Sequence, residues 1–192
     1  METPFVSRWK NKAYLVFNRN LLPMIVLGID TAIRCTGYGA VDFRSLNDIR
    51  ILDCGVISNS AKLPHSECLR RLAGGVRQLI SQFKPEALSL EDAFCSRNIK
   101  TAMILSLARG AVITIAAEAS VPVYVYSPKT AKRAATGNGS ASKEQVAALI
   151  SSMLGINIKD IPLDATDALA LAMCHGQVLI RPELKELLPK PV

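Results

Sequence analysis

Three β-rich runs separated only by turn-length gaps open the patterned part of this chain. Ile25 to Ile29, Tyr38 to Val41 and Ile49 to Ile57 follow one another with glycines and an Asn47-Asp48 pair between them, which predicts an antiparallel meander. Then the period changes. From Ser66 to Phe83 the apolar residues Leu69, Leu72, Val76, Leu79, Ile80 and Phe83 recur at helical spacing, and Pro85 follows the stop. Ala87 to Leu90 reads as a strand, Lys100 to Ala119 as a helix and Val121 to Tyr126 as a strand. Ser127-Pro128 supplies an N-cap with proline in the first turn of the next helix. Gly137-Asn138-Gly139 breaks the chain before a helix over Lys143 to Leu154, and a last helix begins about Asp164 and runs through Cys174. A meander that passes into alternating helices and strands predicts an α/β layer fold, a mixed sheet covered by helices.

The 192 residues, 49% of them hydrophobic, suffice for one well-buried domain, placed at 24–177. Residues 1–23 differ in character. They carry Arg8, Lys10, Lys12 and Arg19 against Glu2, hold the only tryptophan, Trp9, and show no clear period, so they read as a flexible basic extension. Met24 stands directly before the first strand, which leaves an upstream start codon, a basic arm and a targeting peptide open, although the apolar core of a secretory signal is missing. Residues 178–192, with Pro182, Pro189 and Pro191, read as a tail trailing from the domain. The longest apolar stretch, Ala102 to Ala117, is interrupted by Arg109 and falls short of the ~20 residues that span a bilayer, so no membrane segment is expected. The five cysteines form no Cys-x-x-Cys pair, which argues against a zinc site or a disulfide framework and for a reducing, cytoplasmic compartment.

A net charge of +7 with a pI near 9.3 favours a polyanionic partner, weakly when taken alone. Its distribution says more, because Lys129, Lys132, Arg133 and Lys143 crowd into one segment. A solvated helix face would produce the same pattern.

Four carboxylates stand at the edges of otherwise apolar segments. Asp30 ends the first strand, Glu91 ends Ala87-Leu88-Ser89-Leu90, and Asp164 and Asp167 open the last helix, three residues apart and therefore on one face. Taken singly, Asp30 is an ordinary turn aspartate, Glu91 a strand terminus, and the pair an N-cap with a first-turn acid. Acidic groups at apolar boundaries are costly unless paired, hydrogen-bonded or metal-bound, so together they suggest a divalent-cation site. Phosphodiester cleavage with two Mg²⁺ ions about 4 Å apart needs such oxygen ligands from several elements.

Gly28-Ile29-Asp30 with Thr36-Gly37-Tyr38-Gly39, Leu90-Glu91-Asp92-Ala93-Phe94, Ala108-Arg109-Gly110, Gly137-Asn138-Gly139-Ser140-Ala141 and Asp164-Ala165-Thr166-Asp167-Ala168-Leu169-Ala170 resemble, in order and spacing, the RuvC family of Holliday junction resolvases. The resemblance covers roughly Met24 to His175. It implies a ribonuclease H-like α/β fold with a mixed five-stranded sheet, three antiparallel strands followed by parallel ones, flanked by helices. It further implies a homodimer that nicks two opposing strands of a four-way DNA junction symmetrically, leaving 5′-phosphate ends, with Mg²⁺ as cofactor, two ions per site, for which Mn²⁺ can substitute. A branch-migration helicase complex of the RuvA and RuvB type is a candidate partner. By position, the resemblance makes Asp30, Glu91, Asp164 and Asp167 the catalytic metal ligands and Phe94 an aromatic that stacks on a base at the junction centre. Packing in the core is the commoner fate of a phenylalanine. Lys132 and Lys143 match basic positions near the scissile phosphate, and Arg34, Arg97, Lys100, Lys129 and Arg133 are further candidates for DNA contact.

One departure stands out. After the first aspartate the family usually carries proline and glycine, whereas this chain has Thr31-Ala32, which removes a rigid turn and a permissive backbone position. Two alternatives weigh against the resolvase reading. A non-catalytic platform for branched DNA is disfavoured by the intact carboxylates. The phosphate-binding hairpin of sugar kinases and actin-like ATPases shares Gly28-Ile29-Asp30 and the later Thr-Gly, but those proteins need two such domains and a second glycine-rich loop.

Overall fold

A computed structural model describes residues 6–10, 24–92, 98–154 and 161–192. In chain order the strands are β1 (Val6–Lys10), β2 (Met24–Asp30), β3 (Cys35–Ser45), β4 (Asp48–Ser58), β5 (Ala87–Glu91) and β6 (Val123–Tyr126). The helices are α1 (His65–Phe83), α2 (Ile99–Glu118), α3 (Pro128–Thr136), α4 (Lys143–Leu154) and α5 (Leu163–Leu179), followed by a 3₁₀ turn, Pro182–Leu187. One sheet contains all the strands in the order β1-β4-β3-β2-β5-β6. β2, β3 and β4 form the expected antiparallel meander, and β5 and β6 continue from β2 in parallel.

Local chemistry sets the boundaries. Lys84, in a left-handed conformation with φ 47°, closes α1 by donating its N–H to the Ile80 carbonyl. The Asn98 side chain accepts from the Lys100 and Thr101 amides at the start of α2. The Ser127 hydroxyl accepts from Thr130 N–H at 3.1 Å ahead of Pro128, as the sequence predicts.

Alternation along the strands divides the core between two faces. Leu27, Ile29, Tyr38, Ala40, Leu88 and Leu90 meet Leu72, Val76 and Leu79 of α1 and Val112 and Ala116 of α2. On the other face Val26, Val41, Phe43 and Cys54 meet α4 and α5. Helix α5 is buried nearly all round, from Ala165 to Gly176. It comes close enough to touch the sheet's backbone. A Cβ at Gly28 would overlap the Ala168 carbonyl oxygen and lie 2.7 Å from the Ala172 amide, and one at Gly37 would overlap the Asp164 carbonyl. The Ser89 hydroxyl, fully buried, donates to the Leu171 carbonyl at 2.8 Å and ties the same helix to β5.

Three features differ from the sequence reading. The basic extension contributes β1, a sixth strand, paired antiparallel with β4 so that Trp9 lies opposite Cys54 and Lys10 opposite Asp53. Five residues joining an edge through backbone hydrogen bonds need no hydrophobic period, so the sequence carried no sign of them. Helix α5 runs past Cys174 to Leu179, and the residues after it fold back instead of trailing: the 3₁₀ turn packs on α5, and the Val192 amide donates to the Val123 carbonyl at 3.0 Å. Helix α2 spans 20 residues and is long and apolar enough, by length and composition, to cross a membrane. Its Ala108, Val112, Ile115 and Ala116 instead pack in the protein core, and Arg109 pairs with Asp92 at 3.2 Å. Among the described residues Cys35, Cys54, Cys68 and Cys174 are free thiols.

Candidate active site

The sheet register brings two of the four carboxylates side by side. β2 and β5 run parallel with Ile29 beside Leu90, so Asp30 and Glu91 are the next residues at the carboxyl ends of neighbouring strands. The third arrives on α5. Asp30 lies opposite Gly37 in the β2–β3 pair, and the Asp164 carbonyl sits directly on Gly37, so the first turn of α5 is laid over the strand end that carries Asp30. Asp167 follows on the same helix, one turn on. All four are half-buried.

The Cys35 thiol reports on this crowding. Its pKa is pushed up to about 12, first by burial, then by a hydrogen bond to Asp164, and further by the negative charges of Asp164 and Asp30. Thus Cys35, Asp30 and Asp164 share one electrostatic environment, with a neutral thiol beside two carboxyl groups.

The donors are all carboxylate oxygens, the hard ligands that suit Mg²⁺ or Mn²⁺ rather than a softer ion. Among the described residues no three His, Cys, Asp or Glu side chains converge closely enough to hold an ion. The carboxyl ends of strands at the β2/β5 junction are also where open α/β sheets hold their ligands.

Around this end lie the basic residues. Glu91 is the register partner of Tyr126, and α3 begins immediately beyond it, so Lys129, Lys132 and Arg133 emerge at the same end of the sheet. Lys129 and Arg133 are exposed and Lys132 is half-buried, while Ala131 and Ala135 form the buried face of the helix. Lys100 is exposed at the start of α2, and Lys143 opens α4. Phe94 and Arg97 lie outside the described residues. Arg34 is turned inward: its Nη1 donates to the Ser60 carbonyl at 2.7 Å and the Leu63 carbonyl at 3.0 Å, so loop backbone already engages this cation.

The family model for crossover junction endodeoxyribonuclease RuvC matches residues 26–175. The chain belongs to the RuvC family. Among curated relatives, RuvC of Chlorobaculum parvum is 42% identical over 151 residues, covering 79% of this chain and 80% of the relative. RuvC of Protochlamydia amoebophila is 38% identical over 157 residues, covering 82% and 93%. A solved structure of Thermus thermophilus RuvC in complex with a Holliday junction substrate superposes with a TM-score of 0.79 at 34% identity, covering 88% of this chain and 99% of that one. The yeast mitochondrial Holliday junction resolvase, at 16% identity and TM-score 0.57, shares the fold. Membership of the RuvC family carries the ribonuclease H-like fold, the endodeoxyribonuclease class and divalent-metal dependence.

One buried cluster had escaped the sequence reading. His175, fully buried in α5, stacks on Tyr124 with ring centroids 4.2 Å apart, and its Nδ1 lies 2.7 Å from the Tyr126 hydroxyl. Burial lowers its pKa to about 4, so the ring is neutral near pH 7. A histidine inside Ala-Leu-Ala-Met-Cys-His was the available signal, because a polar group in an apolar helix needs a buried partner.

Proposed function

We propose that this chain resolves four-way DNA junctions by metal-dependent nicking of two opposing strands, with Asp30, Glu91, Asp164 and Asp167 as the catalytic carboxylates. The observation that carries this reading is the docking of Asp164 on Gly37, opposite Asp30, with Glu91 at the neighbouring strand end. Two Mg²⁺ ions, when bound, would activate a water for in-line attack and stabilise the leaving oxygen. The protein's part is positional. Two carboxylates ride on rigid strand ends and two on a helix wedged against backbone, so the donors are held by the core rather than by loops. Neutral Cys35 adds no charge to the set.

Lys129, Lys132 and Arg133, with Lys143 and Lys100, form the proposed phosphate-tracking surface, and Phe94, three residues beyond Glu91, is proposed to stack on an opened base. Phosphate contacts of this kind orient the junction, and preference among cleavage sequences falls to base edges and DNA deformability. Arg34, bonded inward, is the weakest of the proposed contacts. The enzyme is proposed to act in the cytoplasm as a homodimer. Ile99, Met103 and Leu107 of α2 are 77%, 64% and 54% exposed and form one stripe at i, i+4 spacing, and Gly110 continues it beside open space. A second copy of this helix is the proposed cover. A RuvA- and RuvB-type motor is the further partner in this reading.

The test is incubation with a labelled four-way junction, with Mg²⁺ or with chelator, beside a linear duplex and a DNA–RNA hybrid. Paired nicks in the junction alone, dependent on metal, are the expected outcome. Binding without cleavage would instead identify a platform protein, and cutting of the hybrid a different ribonuclease H-like activity. Asp30→Asn should abolish nicking while junction affinity stays within about twofold, because metal ligands act on the transition state and basic residues supply affinity.

A further inference from the structure

The connection from Asp30 to β3 carries Thr31-Ala32 in place of a rigid proline-glycine pair, yet its Ala32, Ile33 and Arg34 carbonyls are all held. Within the connection, the buried Thr36 hydroxyl donates to the Ala32 carbonyl at 2.5 Å and accepts from the Ala32 amide at 3.2 Å. The remaining bonds come from outside, and Asn59, just past the end of β4, is their hub. Its side-chain amide donates to the Ile33 carbonyl at 2.9 Å and its backbone amide to the Arg34 carbonyl at 2.8 Å. Arg71 of α1 donates to Asn59 Oδ1 at 3.1 Å and so fixes which way the amide points. Arg34 closes the clasp in the other direction through the Ser60 and Leu63 carbonyls. The connection is therefore bound to the β4–α1 turn by donors running both ways.

We propose that Asn59 is a positioning residue for Asp30: it replaces, from a distant part of the chain, the local stiffness that Thr31-Ala32 does not provide. The proposal rests on the reading of Asp30 as a metal-binding carboxylate. A side chain that orients a ligand from behind acts mainly on metal affinity, and losing such support costs about 10-fold or more. Asn59 meets Arg34, the weakest of the proposed DNA contacts, through a backbone hydrogen bond that a side-chain substitution leaves in place.

Asn59→Asp is the informative variant, since it keeps an acceptor for Arg71 and removes the donor to Ile33. Four quantities are measured on the full-length protein: Mn²⁺ affinity without DNA by electron paramagnetic resonance, junction Kd in chelator, single-turnover cleavage across a Mn²⁺ titration, and Tm. We expect Mn²⁺ affinity to fall about 10-fold. Cleavage should fall at low Mn²⁺ and recover at high Mn²⁺, with junction Kd within about twofold of the parent. Adding Thr31→Pro and Ala32→Gly to Asn59→Asp should restore Mn²⁺ affinity, a rescue that a general packing role would not produce. Unchanged Mn²⁺ affinity overturns the proposal, and so does a fall in Tm with no rescue by the added pair. Asp30→Asn separates the two levels: if it leaves Mn²⁺ binding intact, the metal-ligand reading fails, whereas if it removes Mn²⁺ binding and Asn59→Asp does not weaken it, only the clasp fails.

Discussion

The two helical layers of this protein meet the same sheet in different ways. On one face α1 and α2 approach through Leu72, Leu79, Val112 and Ile115, side chains that hold the helices off the strands. On the other face α5 touches the strand backbone at Gly28 and Gly37 and brings Asp164 to the sheet with it. The first contact is made of deformable side chains, so its errors are absorbed as cavities and stability. The second is backbone against backbone, so its errors become displacement of the site.

The largest test of this contrast is Gly37→Ala. One methyl has to push the Asp164 turn away, and we expect cleavage to drop about 100-fold, as for a misplacement of roughly 1 Å. Stability should fall by about 1–3 kcal/mol. Single-turnover cleavage beside urea denaturation reads both, and a rate within a few-fold of the parent would remove the distinction between the layers. Leu79→Ala is the opposite case. We expect a loss of about 2–4 kcal/mol in stability with cleavage per folded molecule unchanged. A rate defect at full folding would show that the α1 face also sets the site.

A pH titration sharpens the picture of the α5 face. Folding holds His175 neutral, with a pKa of about 4 against about 6.5 in the unfolded chain, so the unfolded state takes up the proton first. Stability should be unaffected by this group above pH 6.5 and decline by up to about 3 kcal/mol as pH falls from there toward 4. The His175→Phe variant should lose this part of the slope, and an unaltered slope would assign the acid sensitivity to other groups. The smallest effect is expected at the surface. Lys132→Ala should reduce the salt dependence of junction affinity by about one phosphate contact, seen as a shallower slope of log Kd against log salt.

Much of this was legible in advance where a local rule and a tertiary contact agree. Helix α4 begins and ends where its sequence pattern does, and Ser127-Pro128 caps α3 because capping is settled by the nearest few residues. The carboxylates were visible as acids at apolar boundaries, although the residues by themselves left turn and cap explanations open. What the pattern missed has no local signature. Strand β1 is held by another strand's edge, Arg34 looked like a surface cation until the β4–α1 turn closed over it, and Asn59 is an unremarkable asparagine except for what lies across from it.

From β2 onward the order of strands and helices, the apolar faces and the acids at their ends were determined by the sequence alone, since periodicity, caps and breakers act over a few residues. Which acids become neighbours was decided only in three dimensions. Parallel pairing sets Asp30 beside Glu91 from residues far apart in the chain, and the missing side chains at Gly28 and Gly37 let α5 descend far enough to lay its Asp164 turn over the strand pair that carries Asp30. Long-range register and close approach depend on how whole elements pack, and no short stretch of sequence encodes that.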